Sequence, residues 1–196
     1  MENGGRLKFY PNNMIAIIAE KPSVGMDIAR VVGADTKNDG YCSGNGYMVT
    51  WALGHLVSLA LPDTYGYTRT AAEDLPMLPE PFRLVSRQVR TDRGMVPDLA
   101  ATKQLKVIDG VFNRCVSIIV ATDAGREGEL IFRWIYDYLG CTKPFRRLWI
   151  SSLTDEAIRK GLEELKDGAE YDSLYAAADS RAKADWLVGM NASRAL

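Results

Sequence analysis

The chain has 196 residues, 47% of them hydrophobic and 25% charged, with 24 basic residues against 25 acidic ones. That composition supports a packed core in one or two domains and argues against disorder. The balanced charge excludes a polycationic arm or an acidic tail.

The apolar runs fall far short of the ~20 residues of a membrane span. The polar start lacks the apolar core of a signal peptide. Cys42, Cys115 and Cys141 are odd in number and lack CxxC spacing, so neither a disulfide framework nor a zinc site is expected. These bounds predict a soluble intracellular protein.

Residues 1–13 carry no apolar period and read as a leader without structure. Met14–Ala19 is a short apolar run that ends at Glu20-Lys21-Pro22-Ser23, followed by helical spacing over Val24–Val32. This is the pattern of a buried strand entering a strand–helix unit, with Ser23 as the expected cap and Gly33 as the stop. Turn residues punctuate 39–61, where Tyr47–Ala52 and Leu56–Leu61 read as strands around Gly54-His55. From Pro62 to Pro81 no period emerges, which predicts a long irregular excursion. Phe82–Val89 reads as one strand and Asp98–Phe112 as a helix.

Val116–Ala121 is the next strand, Thr122–Glu129 its exit loop, and Leu130–Leu139 a helix closed by Gly140. Arg147–Ser151 reads as a further strand. Ser152–Glu156 starts a helix ending near Lys166-Asp167-Gly168, and a long Ala-rich helix runs from Tyr171 to Leu196. Strands alternating with helices predict an α/β fold, a parallel sheet flanked by helices, with a β-rich insertion.

Ligands bind beyond the carboxyl ends of strands in such sheets. Two strands here end in acid, at Glu20 and at Asp123, and Glu127 and Glu129 follow within six residues of Asp123. Oxygen ligands of this kind suit Mg²⁺, which keeps waters and bridges to phosphate. Lys21 and Arg126 lie among them and suit phosphate. Glu129 has a second explanation, as an acid in a first helical turn complementing the helix dipole. No Walker loop, no dinucleotide-binding glycine motif and no nucleophile elbow occurs.

Five segments together resemble the Toprim domain of type IA DNA topoisomerases, of the bacterial topoisomerase III type. They are Ile17–Ser23 (IIAEKPS), Thr50–Leu56 (TWALGHL), Ala121–Glu129 (ATDAGREGE), Ser152–Thr154 (SLT) and Ala184–Arg194 (ADWLVGMNASR). The likeness spans roughly residues 14–196. It implies a Rossmann-like Toprim domain over 14–168 and, over 171–196, the start of a helical DNA-binding domain. It also implies Mg²⁺-dependent cleavage of one DNA strand, a 5′-phosphotyrosyl link, strand passage and resealing.

By the same resemblance Glu20 assists proton transfer at the 3′-oxygen, and Lys21 stabilises charge on the phosphate. Asp123 and Glu127, with Glu20, hold the metal, and Glu129 is a possible further ligand. Gly125 stands where the family has a second aspartate. Arg126, Arg181, Asp185, Arg194 and His55 are the expected DNA contacts, although a lone histidine can also be structural. None of the nine tyrosines has the family's threonine-tyrosine-proline-arginine neighbours. The chain is therefore expected to be an N-terminal part, inactive alone. Its implied partners are single-stranded DNA and the remaining domains of its polypeptide, and it is expected to be a monomer in the bacterial cytoplasm at the nucleoid.

Local charge is segregated. Residues 83–106 carry Arg83, Arg87, Arg90, Arg93, Lys103 and Lys106 against Asp92 and Asp98, a net of +4, while residues 151–172 carry a net of −4. The basic stretch reads either as a path for a phosphate backbone or as a solvated surface. Another Toprim enzyme, a primase or nuclease, and a non-catalytic nucleic-acid-binding module are the competing readings.

Overall fold

The computed structural model describes residues 13–67, 72–92 and 94–195, with no side chains for residues 72, 194 and 195. The expected leader (1–13) falls outside the described residues except for its last position. The elements in chain order begin with β1 (Ile15–Ala19), α1 (Pro22–Val32), β2 (Thr36–Asn38), β3 (Tyr41–Gly44), β4 (Tyr47–Trp51) and β5 (Val57–Leu59). There follow β6 (Leu84–Ser86), β7 (Gln88–Thr91), β8 (Gly94–Pro97), α2 (Leu99–Arg114), β9 (Ser117–Ala121) and α3 (Arg126–Tyr138). The chain continues through β10 (Phe145–Arg147), α4 (Asp155–Glu163), β11 (Lys166–Asp167) and α5 (Asp172–Ala195).

Among the described residues, the main sheet runs β11-β10-β9-β1-β4-β3-β2. The four central strands are parallel and the outer pairings antiparallel. Successive strand residues face opposite sides, so a run that is apolar throughout belongs in a sheet covered on both faces. In β1, Ala16 and Ile18 join Ile118, Val120, Ile108, Phe112, Phe132 and Ile135 on the side of α2 and α3. Ile17 and Ala19 join Ile119, Ile28, Val32 and Ile158 on the side of α1 and α4. Helix α5 packs on α3 and buries Trp186, whose indole N–H donates to the Ala60 carbonyl at 2.9 Å.

Three local expectations are corrected. Helix α1 begins at Pro22, not after Ser23, and its flanking residue Lys21 makes no capping side-chain bond. Proline suits the first helical position because its missing N–H has no helical partner there. Gly33 does stop the helix, at φ 76°.

The strand read at Arg147–Ser151 ends at Arg147, because its partner β9 turns away after Ala121. Leu148 adds one last bond, to the Val120 carbonyl, before the chain leaves the sheet. The strand read at Phe82–Val89 is two, β6 pairing with β5 and β7 with β8. The chain changes partners at Arg87, whose N–H bonds Leu56 and whose carbonyl accepts from Asp98.

Candidate active site

The site is a product of strand order. β1 lies between β9 and β4, all three parallel, with Ala19 level with Ala121 on one side and Trp51 on the other. Their exit loops therefore emerge together at the carboxyl edge of the sheet, the place where open parallel sheets bind ligands.

The first loop carries Glu20 and Lys21, the second Asp123, and the third His55. The Asp123 N–H donates to Glu20 Oε2 at 3.2 Å, and Lys21 Nζ lies 3.9 Å from Asp123 Oδ2. His55 Nε2 is 2.6 Å from Glu127 Oε1, on the first turn of α3. Segments separated by up to 103 residues thus meet at one edge.

A cleft of about 570 Å³ lies between this edge and α5, lined by Asp123, Arg126 and Glu127 and, from α5, by Arg181 and Asp185. Arg181 Nε is 3.7 Å from Asp185 Oδ2. The pair is exposed, so its worth to stability is small, and both side chains remain available to a ligand. Five of the expected site residues share this cleft, and Glu20, Lys21 and His55 adjoin it through Asp123 and Glu127. Arg194 lies near the end of α5, and its side chain is outside the described residues.

Among the described residues, no three His, Cys, Asp or Glu side chains gather closely enough to form a metal cage. Mg²⁺ requires less of a protein, since one or two carboxylates with waters and phosphate oxygens suffice. Asp123 and Glu127 are exposed carboxylates on one cleft wall, and that donor set fits the ion.

Residues 15–153 match the family model of the Toprim domain. The chain belongs to the Toprim family. This Toprim chain is 51% identical over 185 residues to DNA topoisomerase 3 of Shouchella clausii (strain KSM-K16), covering 92% of this chain and 24% of that protein. It is 49% identical over 184 residues to DNA topoisomerase 3 of Bacillus subtilis (strain 168), with the same shares. The chain thus spans about a quarter of the length of the curated relatives it matches. Full-length topoisomerase I from Thermotoga maritima shares the fold over 78% of this chain and 21% of that one, with a TM-score of 0.50 and 17% identity.

Beneath the Toprim cleft lies a network that the sequence did not announce. Glu129 is fully buried. Its Oε1 accepts from Arg133 Nε at 2.9 Å and its Oε2 from Arg147 Nε at 3.0 Å. The possible role of Glu129 as a metal ligand is therefore corrected: both oxygens belong to guanidinium groups, and the residue points into the protein rather than the cleft.

Arg147, itself 1% exposed, donates onward to the carbonyls of Val120, Thr122 and Asp123 at 2.7–3.0 Å. One guanidinium thus holds the loop that presents Asp123. Burial pulls the Arg147 pKa down, and the charge of Glu129 works against it. Arginine remains charged under such pressure. The i,i+4 spacing of Glu129 and Arg133 was visible in the sequence. Arg147, 18 residues further on, carried only the signal of a charge beside an apolar stretch.

Gly128 completes the loop. A Cβ there would stand 2.1 Å from the Asp123 carbonyl oxygen. Only glycine admits so close a crossing of loop and helix. Gly125 differs: a Cβ there meets nothing within 4 Å.

The basic stretch is likewise sorted by the fold. Arg87 is engaged by Asp98 and Lys103 by Asp39, whereas Arg83, Arg90 and Lys106 are exposed. Arg93 lies outside the described residues.

Proposed function

We propose that this chain is the Toprim part of a type IA DNA topoisomerase, which cuts one DNA strand, holds it by a 5′-phosphotyrosyl link, passes a strand and reseals. The observation that carries the reading is the cleft that joins Asp123 and Glu127 to Arg181 and Asp185 of α5, with Glu20 and Lys21 beside Asp123. Likeness to the topoisomerase 3 relatives continues past residue 153, where the Toprim match ends, and this disfavours the primase and nuclease readings.

In this reading residues 14–168 form the Toprim domain, and 171–196 begin the helical domain that follows. No tyrosine lines the cleft among the described residues, so the nucleophile comes from another part of the polypeptide. Single-stranded DNA crosses the cleft with its phosphates on Arg126 and Arg181, Asp185 orients Arg181, and Arg194 and His55 complete the contacts. The intact protein works as a monomer in the bacterial cytoplasm, at the nucleoid.

Lys21 faces the scissile phosphate and stabilises its developing charge as a preorganised cation. Glu20, held beside the Asp123 backbone, carries the proton to and from the 3′-oxygen. Asp123 and Glu127, with Glu20, would hold Mg²⁺, which when bound would supply charge neutralisation at the phosphate.

Glu20→Gln in the intact protein is expected to lower relaxation of supercoiled plasmid by roughly 10²–10⁴-fold, the usual contribution of a general acid or base. The circular dichroism spectrum should be unchanged. Relaxation at the wild-type rate would overturn the role. Incubated with a single-stranded oligonucleotide and Mg²⁺, the 196-residue chain alone should yield no denaturant-stable adduct, and such an adduct would place a nucleophile within it.

A further inference from the structure

Arg87 has no place in the chemistry above, yet its side chain is committed on every edge. Nε donates to Asp98 Oδ2 at 2.8 Å, and Nη2 lies 2.6 Å from the same oxygen. Nη1 donates to two carbonyls at once, those of Leu53 and His55, each at 3.0 Å. Its backbone N–H donates to the Leu56 carbonyl at 2.7 Å. One residue therefore ties down three carbonyls of a four-residue loop.

Asp98 anchors the arrangement. Its side chain caps α2 by accepting from the N–H groups of Ala100 and Ala101, and its own N–H donates to the Arg87 carbonyl. The Arg87 hydrogen bond, followed by those two backbone donors, holds its carboxyl below the usual carboxylate range.

We propose that Arg87 is a positioning residue of this site, holding the 53–56 loop so that the His55 imidazole meets the Glu127 carboxylate. The loop needs such a holder. Gly54, at φ 66°, turns the chain sharply, and its N–H reaches the Glu20 carbonyl at 3.4 Å, a long bond. The rigid fork of a guanidinium serves an anion and two carbonyls together, which the point charge of lysine cannot do. The arrangement parallels Arg147, which holds the Asp123 loop from below while paired with Glu129. Two of the three loops at the sheet edge are each fixed by an arginine anchored on a carboxylate. This inference builds on the reading of Glu127 and His55 as site residues.

His55 is the sole histidine of the sequence, so ring ¹⁵N correlation spectra of the 196-residue chain show a single imidazole. At one fixed pH, without DNA or metal, E127Q is expected to shift these ring signals. In the R87K background the same substitution should shift them by less than half as much, while amide signals of the main sheet stay in place. A shift of equal size in both backgrounds, or none in the presence of Arg87, overturns the proposal. If R87K does not fold, D98N serves instead: it keeps a capping oxygen for α2, weakens the anchor, and is expected to reduce the shift in the same way. The readout involves no turnover, so an intact protein without topoisomerase activity would remove the proposed function and leave this result standing.

Discussion

Glu129→Gln destabilises the chain by about 3–5 kcal/mol, the range for breaking a buried ion pair from one side. At ~2–4 °C per kcal/mol for a chain of this size, the melting temperature falls by roughly 6–20 °C. The cause is the pair of guanidiniums left behind. Arg147 is 1% exposed and Arg133 has only 12% of its side chain exposed, so water cannot replace the carboxylate they share.

An amide supplies one acceptor where the carboxylate supplied two, and its NH₂ group would face an N–H donor. Glu127→Gln is the control. Glu127 lies two residues away with 73% of its side chain exposed, so the same chemical change should move stability by no more than ~0.5 kcal/mol. Thermal melts of the two variants measure the difference, and equal melting temperatures would refute the buried network.

Gly128→Ala is the second large effect. The new Cβ would meet three backbone atoms of Asp123 at 2.1–2.9 Å, and backbone cannot move aside as a flexible side chain can. Relief requires the Asp123 loop to part from α3, against the Arg147 bonds that hold it. Overpacking of this kind costs roughly 1–3 kcal/mol and sometimes more. In the proposed reaction activity falls as well, because about 1 Å of misplacement at a reacting group can cost ~10²-fold.

Gly125 provides the contrast. It flanks α3 at φ 173°, extended backbone open to any residue, with free space where a side chain would go. Gly125→Ala should cost at most about 1 kcal/mol. Gly125→Asp, which introduces a favoured capping residue, should be neutral or stabilising. Chemical denaturation ranks the three variants, and a Gly128→Ala protein as stable as Gly125→Ala would refute the close crossing.

The site was legible in the sequence where it depends on neighbours along the chain. Glu20 and Asp123 each end an apolar run too short for a helix, and glycine or proline follows within two residues. That local grammar marks a strand exit whatever the rest of the fold does. Both exits lie within residues 15–153, which match the Toprim domain. The boundaries of β10 and the division of Phe82–Val89 were not legible, because both depend on where a partner strand stops.

Charged residues divide along the same line. Glu127 and Glu129 are both acids in the first turn of α3, two positions apart, and locally only the i,i+4 spacing of Glu129 to Arg133 separates them. The helix turns one toward the cleft and the other into the core, where Arg147 arrives on a strand 18 residues later. Arg87 likewise stood in a basic run beside Arg83 and Arg90, and only the change of strand partners at that residue gave it Asp98 and the His55 loop.

The near-zero net charge of the chain is therefore a sum over unlike populations. By itself, the sequence determined which chemical groups stand at the strand exits, since short apolar runs and turn residues act over a few positions. Only the tertiary structure decided which charges face the cleft and which hold the loops beneath it. Desolvation and partners distant in sequence set that choice, and neither is written in local spacing.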